Sequence, residues 1–208
     1  KQVVESGAQT LVLEQNHYVG GRALVDQEAL EEIPTADWFR NAIKHLSEFK
    51  NFKIRFNTVS TGVYDHRYIL AQENVNDGSP GDGRPRHRLW RIRAKHVITA
   101  TGAIERPLVF SGNDLPGVML ASAIRDYVKL YGVSPGDRTL IMTNNDDAYR
   151  TAISLHECGL TVSAIVDTRS ESKGELAKMV EERGIRIELG KAIASVIGKN
   201  RVTGVKLC

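Results

Sequence analysis

Cysteine is nearly missing from this sequence: Cys158 and Cys208 are the two in 208 residues, and they stand fifty positions apart. Without a CxxC pair or a histidine at ligand spacing, neither a disulfide framework nor a zinc or other metal site is indicated, and a reducing cytoplasm is the expected setting. Long apolar runs are missing too. No uninterrupted stretch approaches the roughly 18 residues that a membrane-spanning helix needs, and the start carries no signal-peptide pattern. A run of like charges is also absent: the net charge of +3 and pI near 8.9 come from Lys and Arg scattered along the chain. This speaks against a nucleic-acid partner. The densest basic stretch, from Arg84 to Lys95, interleaves Leu89 and Ile92 with its charges and reads as the solvated face of a strand. An initiating methionine is lacking as well, and KQVVESGAQTLVLEQ reads as the end of a helix running into a strand.

What is present is an ordinary globular composition, 41% hydrophobic and 25% charged, enough for one large or two small α/β cores. Gly7 fits the end of a helix, and Thr10 to Leu13 a buried parallel strand that ends in Glu14. Trp38, Phe39, Ala42, Ile43, Leu46 and Phe49 have the spacing of an amphipathic helix over 35–50, with Thr35 as its N-cap. A short strand follows at Lys53 to Phe56. Alternating patterns over 60–73 and 86–95 predict two antiparallel strands, with the Gly-, Pro- and Asp-rich 74–85 as a mobile hairpin tip between them. His96 to Thr101 is expected to be another apolar strand, ending in the small-residue turn Thr101, Gly102, Ala103.

A second unit is expected from about residue 117. Its elements are a helix over 118–131, a strand at 138–143, a helix at 147–158, a strand at 161–167, a helix at 173–183 and a strand at 185–189. Alternation of strand and helix with short connections predicts a parallel sheet of βαβ units. The tail, 191–207, reads as a hairpin turning at 198–200.

Three features carry ligand chemistry. A carboxylate at a strand end, Glu14, can accept hydrogen bonds from the ribose hydroxyls of an adenosine. Gly20 and Gly21 let backbone approach a diphosphate, and Arg22 supplies a guanidinium to pair with it. The strand that delivers Ala100, Thr101 and Gly102, followed by Arg106 and Pro107, resembles the ATG turn at which two-dinucleotide flavoproteins of the glutathione-reductase superfamily cross the cofactor crevice. No G-x-G-x-x-G loop precedes Glu14 in this chain.

VYDHRYILAQENV (63–75), the run from Pro85 to Ala123, and TNNDDAYRTA (143–152) resemble the alpha subunit of heterotetrameric sarcosine oxidase, over essentially the whole chain. Its relatives include opine oxidases, hydrogen cyanide synthase and proline dehydrogenase complexes. The resemblance implies a Rossmann-like α/β architecture of two dinucleotide folds, cut at both ends. Residues 1–116 would be part of the NAD domain, with a β hairpin over 60–95, and 117–208 an inserted second fold. It implies NAD held by Glu14, Gly20, Gly21, Arg22, Ala100, Thr101 and Gly102. It further implies FAD in a separate beta subunit, FMN at the subunit interface, and folate and a secondary amine as small molecules of the complex. An opine, proline or glycine oxidoreductase, or a nucleotide-holding scaffold, remains the alternative.

The second unit carries TNNDDAY where a working fold would place its glycines. Asn144, Asn145 and Asp146 bring side chains and charge to a helix start that would otherwise receive a diphosphate, so this loop is expected to hold no second dinucleotide. Asp146 and Asp147 are expected to satisfy that helix end themselves. His66 in TyrAspHisArgTyr is read as a turn residue, and no catalytic residue is assigned.

Overall fold

The computed structural model describes residues 1–26, 30, 32–76, 83 and 85–208. Two compact units divide the chain between residues 101 and 102, where the sequence reading set the boundary between 116 and 117.

The first unit opens with α1 (Gln2–Glu5), closed by Gly7 at φ 86°, a conformation that costs glycine little, and continues into β1 (Thr10–Leu13). Next come α2 (Arg22–Asp26), α3 (Thr35–Ser47) and β2 (Phe52–Arg55). β1 and β2 pair in parallel from Thr10 with Phe52 to Leu13 with Arg55. The Asn51 amide donates to the carbonyls of Val4 and Ala8, both at 2.8 Å, fixing the turn before β2 to the turn before β1. Thr35 is not the cap of α3. Pro34 takes that place, its carbonyl accepting the amides of Asp37 and Trp38, and Thr35 is the buried first residue of the helix.

β3 (Thr58–Tyr64), β4 (Tyr68–Asn74) and β5 (His87–Arg93) form an antiparallel meander. The β3–β4 turn, Asp65–Arg67, holds His66 and Arg67 at positive φ, 58° and 56°, a conformation that tight connections use. Most of the loop read as a hairpin tip, residues 77–82 and 84, lies outside the described residues. The basic stretch does lie on a strand. Arg88 pairs with Glu73 at 3.0 Å, the Trp90 indole N–H donates to the same carboxylate at 2.7 Å, and Arg55 stacks over that ring. Residues 96–101 form no strand: they belong to no sheet, and Ile98 is 76% exposed. Apolar β-branched residues make a strand only where a neighbour completes its backbone hydrogen bonds, and no described strand runs alongside them.

The second unit contains α4 (Ala121–Tyr131), β6 (Arg138–Thr143), α5 (Asp147–Glu157), β7 (Thr161–Asp167), α6 (Glu175–Glu182), β8 (Ile187–Leu189), β9 (Ile193–Gly198) and β10 (Val202–Leu207). β6, β7 and β8 make a parallel sheet in that order, and β9 and β10 the expected hairpin. α5 is the centre of the core: Tyr149, Ala152 and Leu155 are fully buried against Ile165, Val180 and Ile141. Each fully buried Leu, Ile or Val contributes about 1.5 to 3 kcal/mol by leaving water. Residues 102–116 belong with this unit because the hairpin holds them. Val196 N–H donates to the Ser111 carbonyl and Val202 N–H to that of Pro116. The Glu105 carboxylate meanwhile accepts both the amide and the hydroxyl of Ser122 in the first turn of α4. Among the described residues no helix is long and apolar enough to cross a membrane.

Candidate functional site

β1 delivers Glu14 to the C-terminal end of a parallel pair, the end at which open α/β sheets hold ligands. The backbone of Glu14 extends the ladder, its N–H donating to Arg55 O at 2.9 Å and its C=O accepting Thr58 N–H at 2.9 Å. Its half-buried side chain turns back so that Oε1 accepts the Asn16 amide at 2.8 Å. One carboxylate oxygen is therefore fixed by the fold, and that contact orients the whole group.

The loop from Glu14 to α2 ends in Gly20 and Gly21, both at positive φ, 116° and 46°. Their reasons differ. A Cβ on Gly20 would lie 2.8 Å from Leu24 Cγ and 3.0 Å from Phe39, so this glycine serves the packing of α2 and α3. A Cβ on Gly21 would meet nothing within 4 Å, so its bare backbone faces open space. Arg22 starts α2 and pairs with Asp26 one turn on, at 3.7 Å. Glu14 and Gly20 to Arg22 thus lie on a single βα connection. Ala100 and Thr101 end the first unit on an exposed ribbon without regular structure, and Gly102, at φ 70°, opens the second unit.

In the second unit, the loop in place of the glycines is organised by its own side chains. Thr143 Oγ1 accepts Asn145 N–H and donates to Asn145 O, and Asn145 Oδ1 accepts the Asp147 amide at 3.0 Å. The helix start is thereby capped by Asn145, which corrects the expectation for the aspartates. Asp146 makes no side-chain cap and pairs with Arg169 at 2.8 Å; Asp147 takes a two-pronged bond from Arg125 of α4, at 2.9 and 3.1 Å. Both carboxylates are drawn sideways because a guanidinium Nη2 offers a stronger, charge-assisted donor than the helix amides do. Asp167, at the end of β7, is fully buried. Burial alone would push its carboxyl up, but the donors of Arg169 outweigh that and hold it below its ordinary value. Burial pushes the adjoining Tyr149 phenol up, and Asp167 adds to the shift.

Sequence reasoning passed over Asn16, Arg125, Arg169 and Tyr149. Asp167 was the available signal, since it ends its strand as Glu14 does.

These two units define a Rossmann-like α/β chain of the kind found in FAD- and NAD(P)-dependent oxidoreductases. The fold matches thioredoxin reductase from T. acidophilum with a TM-score of 0.65 at 17% identity, covering 99% of this chain and 64% of that one. By sequence, the chain is 37% identical over 198 residues to sarcosine oxidase subunit alpha of Rhizobium meliloti (strain 1021), covering 92% of itself and 20% of that relative. It is 35% identical over 198 residues to the same subunit of Corynebacterium sp. (strain P-1), again covering 20% of it. No family model matches. Over nearly all of its length the chain is similar to sarcosine oxidase alpha subunits, and it spans about a fifth of the length of these relatives.

Proposed function

We propose that this chain is the NAD-holding part of the alpha subunit of a sarcosine-oxidase-like complex, and that it binds the nucleotide through the first unit. The observation that carries this reading is the state of the two strand-end acids. Glu14 is half-buried and held by one backbone amide, whereas Asp167 is fully buried with donors on both oxygens. The open space beside Gly21 also fits a bound diphosphate.

In this reading Glu14 accepts the adenosine ribose hydroxyls, Gly20, Gly21 and Arg22 border the diphosphate, and Ala100, Thr101 and Gly102 complete the site. When bound, NAD supplies a nicotinamide able to exchange a hydride. The residues of this chain bind and orient it, and the chain is assigned no bond-breaking step of its own. In the complex, sarcosine, a secondary amine, would be oxidised to its imine by an FAD-bearing beta subunit, the FAD taking up the two electrons, and water would hydrolyse the imine to an aldehyde and the primary amine. FMN held at the subunit interface would pass the two electrons to molecular oxygen, giving hydrogen peroxide, folate would bind elsewhere in the alpha subunit, and the assembly would be a cytoplasmic heterotetramer. We assign residues 117–208 to an inserted fold that holds no nucleotide.

Titration of the full-length alpha subunit with NAD tests the reading. We expect one NAD per subunit and loss of affinity on changing Glu14. Affinity indifferent to Glu14 overturns the site, and a complex inert towards sarcosine overturns the substrate.

A further inference from the structure

The second unit repeats the chemistry of the first up to a point. Asp167 ends β7 as Glu14 ends β1, and each carboxylate accepts the amide two residues on, Arg169 N–H at 2.9 Å and Asn16 N–H at 2.8 Å. There the likeness stops. Arg169 Nε reaches both oxygens of Asp167 at 3.1 Å, its Nη2 reaches Oδ2 at 2.7 Å, and the Tyr149 hydroxyl donates to Oδ2 at 2.8 Å. A carboxylate has about four acceptor positions, and these donors fill them. The same Nη2 pairs with Asp146 Oδ1 at 2.8 Å. Asp146 belongs to the loop that stands where a dinucleotide fold keeps its glycines, and its other oxygen lies against Gly174, where an added Cβ would come within 3.1 Å.

We propose that Arg169 is an internal occupant of this crevice, its guanidinium taking the place at Asp167 that a ribose diol would take and holding Asp146 across the diphosphate position. A ribose presents two hydroxyl donors side by side to a strand-end acid, and a guanidinium edge presents two N–H donors in a similar fork. The ionic version is the stronger of the two, and at Asp167 it is shielded from water. One arginine thus neutralises both the acid that would select a ribose and the acid that would repel a phosphate. It also fastens residues 168–174 to the start of α5. The inference concerns the second unit alone and stands whether or not the first holds NAD.

The test is peptide-resolved amide exchange on the full-length subunit, with adenosine as a probe that carries the ribose diol and no phosphate. In the wild type, residues 168–174 should be protected and millimolar adenosine should change nothing there. In Arg169→Ala their exchange should rise by about tenfold, and adenosine should restore part of the protection. Three results overturn the proposal: unchanged exchange in the variant, faster exchange on which adenosine has no effect, or protection by adenosine in the wild type. Should Arg169→Ala fail to fold, Arg169→Lys keeps the charge and loses the fork. Exchange over 168–174 should still rise by about threefold with a partial response to adenosine, and wild-type behaviour in both respects overturns the assignment.

Discussion

Replacing Glu14 by Gln probes the proposed nucleotide site with little disturbance to the fold. Oε1 already accepts the Asn16 amide at 2.8 Å, and a glutamine oxygen can keep that bond, so the end of β1 is retained. The change falls on the other oxygen, which becomes an uncharged amide donor where the proposal places the ribose hydroxyls. A hydrogen bond to a charged acceptor contributes about 1.5 to 3 kcal/mol net. Glu14 is half-buried and water competes for it, so the loss expected is about 1 to 2 kcal/mol, a rise of roughly 5- to 30-fold in the Kd for NAD. The affinity for NADP should move the other way, because the carboxylate also repels a 2′-phosphate. Calorimetric titration of the full-length subunit with both nucleotides reads the two signs in one experiment, with the thermal midpoint as a control for folding. An NAD affinity within about twofold of wild type would refute the ribose role, since that is below the smallest loss the geometry allows.

The two glycines separate packing from ligand approach. Gly20→Ala forces a Cβ into Leu24 and Phe39 and should lower the stability of the first unit by about 1 to 3 kcal/mol in urea unfolding, whereas Gly21→Ala, at φ 46° with open space around it, should cost about 1 kcal/mol or less and act on NAD affinity instead. Asp147→Ala should destabilise more than Arg125→Met, because it leaves a buried guanidinium without its carboxylate whereas Asp147 is 49% exposed and can be hydrated; comparing the two urea midpoints checks this. Asp167→Asn should cost about 2 to 4 kcal/mol, the loss of charge-assisted bonds at a fully buried acceptor. Its pH dependence has a definite sign. The folded carboxyl lies below the ordinary value, so its stabilisation is present above about pH 4 and is lost as pH falls through the folded value. The acid limb of the urea midpoint should therefore be shallower in Asp167→Asn than in wild type.

Much of this architecture was legible from side-chain periodicity. The helical spacing of Trp38, Phe39, Ala42 and Ile43, and the strand and helix alternation from Arg138 to Leu189, reappear as α3 and as the β6–α5–β7–α6–β8 series. Local chemistry suffices there, because an apolar stripe must be buried and its period selects the element. Residues 96–101 show the limit. Their composition suits a strand, but a strand exists only through its neighbours, and no other described segment supplies a ladder for it. The N-cap expected at Thr35 failed for a related reason: Thr and Pro34 both suit a helix start, and packing chose which of them to bury.

By itself the sequence determined the fold class, which follows from the periodicity of residues close together in the chain, and it offered Glu14 and its two glycines as candidates. Tertiary structure alone decided which strand-end acid stays available. Glu14 and Asp167 carry the same group at the same place on a parallel strand, and both accept an amide two residues on. What separates them is a guanidinium, a phenol and a second aspartate that come together at Asp167 from the loop after β7, α5 and the loop before α5. Hydrogen bonds and ion pairs depend on distances of a few ångströms, and only the folded chain sets those distances.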